Sequence, residues 1–192
     1  GRTGTWWGCE TFDFVPDVLC AGKGLSAGYF PMSAVAFRDE VGEAFISEDH
    51  SRSFADGHTY GGNPLACAAA IAVLAEIQER GLVEQCAARG RYLAQQLEGL
   101  RDLGVIGDIR GRGLMMGIEF ARDPSTMEPF PAETAFGVRV GKNAVHRQQM
   151  LIRYAPSWVA VAPPYTVTEE EIDEMVLRLR RAIVEVLGEL EA

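Results

Sequence analysis

The sequence predicts an α/β segment followed by an α+β segment, and three observations carry that reading. Short apolar runs lie between glycine-rich turns in residues 1–60, which suits buried strands. A small-residue helical stretch with start and stop signals at both ends occupies 63–81. Beyond it, helix-period segments alternate with short strand-like runs, and a long helix comes last. With 192 residues and 47% hydrophobic side chains, the chain can bury a sizeable core in one or two domains.

Taken in order, the opening "GRTGTWWGCE" has two tryptophans and no initiating Met. It reads like the interior of a domain, so the chain is expected to be part of a longer protein. "VLCAG" (Val18–Gly22) and "PMSAVAF" (Pro31–Phe37) have the length of buried strands. Asn63 suits an N-cap, Pro64 the first helical position, and Gly81 the residue just past the helix end. The first half of that helix is small and apolar nearly all round and is expected to be buried. Its second half turns polar at Glu76, Gln78, Glu79 and Arg80, so the helix suits a link between two domains, with the boundary near Glu79–Leu82. A second helix is predicted from about Val83 to Leu100. Arg110 and Arg112 fall in a glycine-rich turn and read as structural, and Gly113–Phe120 reads as a strand. A loop over 122–133 precedes an amphipathic helix over 134–149, and "MLIRY" and "WVAVAPP" are strand candidates. Thr168 and Glu171 form a capping box, and Ile172, Met175, Val176, Leu179 and Ile183 place one apolar stripe on the last helix.

Composition narrows the function classes. A net charge of −9, with no long basic block, argues against nucleic acid, whose phosphates call for clustered Lys and Arg. The longest uncharged run, Tyr60–Ala75, is broken by Gly61, Gly62, Asn63 and Pro64 and falls short of the roughly 18 apolar residues of a membrane span. No charged-then-apolar leader opens the sequence. Cys9, Cys20, Cys67 and Cys86 are far apart without a CxxC pair, so they read as reduced and mostly small core fillers. His50 and His58 do not make a metal motif, and no metal is expected. The expected compartment is the cytosol.

Among 18 basic side chains only Lys23 and Lys142 are lysines. Arginine stays charged, whereas lysine becomes a free amine when its surroundings desolvate the ammonium. Lys23 sits in "DVLCAGKGLSAGYFP", after a probable strand and between Gly22 and Gly24, which let a bulky partner approach. A lysine so placed can form an imine with an aldehyde. On this window alone, a lysine snorkelling from a strand end is the simpler account. The second window, "HTYGGNP", runs into a helix start and offers backbone N–H groups and the Thr59 hydroxyl to an anion such as phosphate. Alone, it too is met by a simpler account, a capped helix entry.

Together these windows resemble one family. "PDVLCAGKGLSAGYFPMSAV" is similar to the cofactor-lysine segment of the class III, or ω-type, aminotransferases, which depend on pyridoxal phosphate. "GRTG" resembles the stretch just upstream of it, and "GHTYGGNPLACAAAIAVL", "DIRGRGLMMGIEF" and "VAPPYTVTEEEIDEM" resemble later segments in the same order. The resemblance covers essentially the whole chain. It implies the pyridoxal-phosphate-dependent transferase fold of type I. Residues 1–80 would form the end of the large mixed-sheet, cofactor-binding domain including the interdomain helix, and 81–192 a C-terminal α+β small domain.

The resemblance also implies roles. Lys23 would hold the cofactor covalently through its amine and then act as the base that moves a proton between substrate and cofactor. Thr59 matches the phosphate-binding threonine, with the His58–Thr59 backbone beside it. In relatives that loop reaches across a dimer interface, which implies a homodimer with shared active sites. Arg153, nine residues before Ala162 of "APP", is in register with a mobile arginine that pairs with a substrate carboxylate, a geometry that favours guanidinium over ammonium. A surface ion pair is the other reading of Arg153. Members resembling ornithine aminotransferase carry an arginine two residues before that turn, where this sequence has Ala160. The departure favours a primary amine or ω-amino acid as donor and a keto acid such as pyruvate as acceptor. Groups that hold the cofactor ring would precede Gly1, so this fragment alone is not expected to turn over. Alternatives on the same fold are an aminomutase, a dialkylglycine-type decarboxylase, or a non-catalytic protein that dimerises or binds a partner.

Overall fold

The computed structural model describes residues 1–46 and 48–191. Its helices are α1 (Gly8–Thr11), α2 (Asp39–Glu43), α3 (Pro64–Glu79), α4 (Leu82–Glu98), α5 (Phe136–His146) and α6 (Glu169–Glu191). Its strands are β1 (Val18–Ala21), β2 (Ala34–Phe37), β3 (Ile106–Arg112), β4 (Met115–Phe120), β5 (Arg153–Ala155) and β6 (Trp158–Val161). They divide into two compact units, 12–81 and 1–11 with 82–192. The break between Gly81 and Leu82 falls beside the end of α3. Residues 1–11, grouped by sequence with the first segment, instead pack with the second.

In the unit 12–81, β1 and β2 form an antiparallel ribbon with Val18 opposite Phe37 and Ala21 opposite Ala34. The apolar runs are strands as expected, but they are not buried. Every residue of β2 is exposed, and Val18, Val35 and Phe37 stand in solvent. A two-stranded ribbon leaves both faces open unless something outside it covers them. The same correction applies to α3. Asn63 caps it, accepting from the amides of Leu65 (3.0 Å) and Ala66 (3.2 Å), Pro64 opens it, and Gly81 follows its end at φ +57°. Its first half nonetheless exposes Leu65 and Ile71, because only the face bearing Ala66, Ala70 and Ile77 is buried.

The second unit holds the core. Its antiparallel sheet runs in the order β3-β4-β6-β5. Met116, Ile118 and Phe120 of β4 and Val159 and Val161 of β6 alternate into one buried face. Leu93, Leu97 and Leu100, then Phe136 and Val140, then Ile172, Leu179 and Ile183 complete that core. Phe136 stacks on Phe130 with centroids 4.3 Å apart and meets Phe120 edge-on at 5.0 Å. The capping box forms in both directions, Thr168 N to Glu171 Oε2 at 2.8 Å and Glu171 N to Thr168 Oγ1 at 3.2 Å. Arg110 and Arg112, expected in a turn, lie on β3, and the turn is at Gly113–Leu114.

Residues 1–4 are tied into this unit. The Arg2 carbonyl accepts from Leu114 N and from the buried Cys86 Sγ, both at 3.0 Å. Its guanidinium donates to the carbonyls of Ala162 and Pro163 and lies 4.9 Å from the Tyr165 ring centre. Gly113 combines φ +54° with a backbone approach so close that a Cβ would collide with Arg2 and Thr3. Of the four cysteines, all unpaired, only Cys86 is buried, so the core-filler reading fails for Cys9, Cys20 and Cys67. Among the described residues no helix is long and apolar enough to cross a membrane.

Candidate active site

Strand β1 ends at Ala21, Gly22 continues extended at φ −169°, and the chain folds at Lys23 into a single 3-10 turn. Lys23 takes φ +50°, a left-handed conformation that costs an L side chain about 1–2 kcal/mol. Backbone bonds from Leu25 N to Gly22 O (3.2 Å) and from Ala27 N to Gly24 O (3.3 Å) close the turn, and α3 packs against it. The Lys23 side chain is exposed and makes no hydrogen bond or ion pair among the described residues. Its amine therefore has no carboxylate to compete with an incoming carbonyl. The expected desolvation is not supplied by these residues: Leu25 is half-buried and Tyr29 is 83% exposed.

His58 and Thr59 lie in the turn before α3, with Gly61 N bonded to His58 O at 2.9 Å and Asn63 N to Tyr60 O at 3.2 Å. Both side chains are exposed. The helix end itself is occupied, because Pro64 has no N–H and Asn63 Oδ1 takes the amides of Leu65 and Ala66. An anion here would be met by the Thr59 hydroxyl and the free amides of the turn. No hydrogen bond or ion pair joins Lys23 to His58 or Thr59 among the described residues.

Arg153 lies in the other compact unit, at the start of β5, directly opposite Ala160 of β6. Ala160 pairs in turn with Gly117, and Gly117 with Arg110. Opposed residues share a sheet face, so Arg110, Gly117, Ala160 and Arg153 form one row on the side away from the core. At its far end, Arg110 is bound to Asp108 at 2.7 Å and Glu119 at 2.6 Å, which holds Asp108 below the usual carboxylate range. Arg153 is exposed and has no ion pair or hydrogen bond among the described residues, so the surface ion pair weighed as its other reading is not formed. Helix α5 supports this strand: a side chain on Gly141 would collide with the Tyr154 ring, and one on Gly137 would come within 2.7 Å of Trp158 N. Sequence reading missed that positions 153 and 160 face each other. The "APS" turn between two short strand candidates was the available signal.

The model for "Aminotransferase class-III" matches residues 1–183. The chain belongs to the class III aminotransferase family. Gamma aminobutyrate transaminase 3 of Solanum lycopersicum, named as chloroplastic, is 34% identical over all of this chain and 37% of its own length. Adenosylmethionine-8-amino-7-oxononanoate aminotransferase of Methanocaldococcus jannaschii is 35% identical over 96% of this chain and 41% of its own. Among solved structures, an (S)-enantioselective omega-transaminase from Thermomicrobium roseum superposes with a TM-score of 0.90 at 36% identity, over 97% of this chain and 41% of that one. The chain thus spans about two fifths of the relatives it matches, and it has the fold type I architecture of their corresponding part. Class III aminotransferases depend on pyridoxal phosphate. The groups present fit that cofactor: an unpaired primary amine at Lys23 for its aldehyde, and a free hydroxyl at Thr59 with uncommitted turn amides for its phosphate.

Proposed function

We propose that this chain is the C-terminal part of an ω-type transaminase that moves an amino group from a primary amine or ω-amino acid to a keto acid such as pyruvate. The observation that carries the reading is Lys23, an unpartnered amine held in a left-handed turn at a strand end. When bound, pyridoxal phosphate supplies an electron sink for negative charge on the substrate α-carbon. Lys23 would anchor the cofactor through Nζ and, once released as a neutral amine, would move a proton between that carbon and the cofactor. Thr59 donates its hydroxyl to the phosphate with the His58–Thr59 backbone beside it, in the active site of a second copy, so that a homodimer shares its sites. Arg153 donates two N–H groups to the keto-acid carboxylate and swings aside for a donor without one. We assign residues 1–80 to the large domain and 81–192 to the small one, with 1–11 packed on the small-domain side. Four unpaired cysteines support a cytosolic setting.

Borohydride reduction of the intact protein with pyridoxal phosphate, followed by peptide mapping, is expected to place a phosphopyridoxyl group on Lys23 and to lose it in Lys23→Ala. A label on Lys142 instead, or none, overturns the assignment. Formation of alanine from pyruvate without release of carbon dioxide separates amino transfer from decarboxylation and from amine migration.

A further inference from the structure

Ser26 is 2% exposed in a stretch that is otherwise largely open to solvent. Within 12–81 it is the one buried polar side chain among the described residues. Its hydroxyl donates to the Phe30 carbonyl at 2.5 Å, and its own carbonyl accepts from Tyr29 N at 2.9 Å. These two bonds close the loop that follows Lys23. On either side of Ser26, Lys23 and Ala27 both hold left-handed backbone, at φ +50° and +49°, and Gly28 continues it at +83°. Non-glycine residues keep such angles only where their surroundings over-determine them. The exposed, unpartnered side chain of Lys23 supplies no such constraint. The buried hydroxyl does, since a buried O–H that lost its acceptor would be left unsatisfied.

We propose that Ser26 is a positioning residue: its hydroxyl bond to Phe30 locks the Lys23–Gly28 turn in the left-handed form that presents the Lys23 amine to the cofactor. The inference rests on Lys23 being the reactive amine. Capture forms a bond from Nζ to the aldehyde carbon and releases the aldehyde oxygen as water with the two amine protons. Its rate follows the fraction of time the amine is aimed at that carbon. Removing one clamping bond lets the turn relax toward ordinary backbone, and a net hydrogen bond corresponds to a change of about tenfold.

The test compares wild type, Ser26→Ala and Ser26→Thr in the intact protein. Hydrogen exchange of the Leu25, Ala27 and Tyr29 amides is followed without cofactor, with the α4 amides as a control for folding. The rate of pyridoxal phosphate capture at Lys23 is read by borohydride trapping, with trinitrophenylation of exposed Lys142 as a reference amine. Ser26→Ala is expected to raise exchange at the three amides and to slow capture at Lys23, each about tenfold, leaving Lys142 unchanged. Ser26→Thr, which keeps the hydroxyl, is expected to stay within about threefold of wild type. Exchange and capture in Ser26→Ala equal to wild type overturn the inference, as does a threonine variant that behaves like the alanine one. Absence of capture in wild type would instead sink the reading of Lys23, while the exchange data still decide whether Ser26 holds the turn.

Discussion

The proposed reading rests on two side chains, Lys23 and Arg153, and among the described residues neither is paired with one of the carboxylates that outnumber bases in this chain. Arg153 is the sharper test of recognition. A guanidinium gripping a carboxylate is worth about 1.5–3 kcal/mol, so Arg153→Ala is expected to raise the keto-acid KM roughly 10- to 100-fold. The KM for an amine donor without a carboxylate should move less than about threefold, which steady-state kinetics with both substrates measures. Arg153→Lys should recover only part of the loss, because an ammonium cannot make the two-pronged contact. An unchanged keto-acid KM would remove Arg153 from the site. Lys23 stood out by residue choice, one of two lysines and flanked by glycines, but its proposed role came from the resemblance of both windows together. Its conformation was not, because local sequence does not announce left-handed backbone at a lysine. Nor did anything mark Ser26, a serine among small residues whose burial arises only when the loop closes.

The hairpin of β5 and β6 turns a sequence contrast into geometry. Arg153 and Ala160 looked like alternative arginine positions seven residues apart, yet they are cross-strand partners on one face. Opposed side chains start about 5 Å apart, within the reach of an arginine. The double variant Arg153→Ala/Ala160→Arg is therefore expected to regain at least about a tenth of the keto-acid affinity that Arg153→Ala loses. Competition by pyruvate in a binding titration reads this, and no recovery would mean the two positions do not address one ligand. Strand β3 shows why local reading fails elsewhere: Asp108 and the two glycines Gly107 and Gly111 depress strand propensity, while pairing with β4 and the ion pairs of Arg110 hold the strand. Capping was legible at both α3 and α6, because a cap is set within four residues. Helix α6 also carries a pH dependence. Glu185 accepts from Asn143, Arg147 and Gln148, led by Asn143, and its carboxyl is held below the ordinary value of 4.5. A lowered folded-state pKa gives stability that is present above the unfolded value and is lost as pH falls through the folded one. Glu185→Gln should thus be less stable than wild type at neutral pH, with the gap closing below about pH 4.5, as acid titrations of Tm would show.

The two units differ in what holds them. The sheet of β3, β4, β6 and β5 and its helices bury leucine, isoleucine, valine and phenylalanine side chains, each contributing about 1.5–3 kcal/mol. Between 12 and 81 the described residues bury only Ser26, Ala66, Ala70 and Ile77, while Phe14, Val35, Phe54, Leu65 and Ile71 stay exposed. Ordering a residue costs about 1–2 kcal/mol of backbone entropy, so those few buried groups cannot by themselves offset the ordering of that unit. This is why the burial of its strands and helix could not be foreseen from periodicity: apolar runs state that a surface must be covered, not which chain covers it. An apolar surface of this kind is the mark of a segment built to be covered. The expected outcome is unequal protection when the 192-residue chain is produced alone. Amides of β4, β6 and α6 should exchange at least about a hundredfold more slowly than those of β1, β2 and α3, and the chain should bind a hydrophobic dye. In the intact protein the exchange of β1, β2 and α3 should fall to that of the second unit and the dye signal should vanish. Equal protection of both units in the isolated chain would show that residues 12–81 need no further polypeptide to hold the Lys23 turn in place.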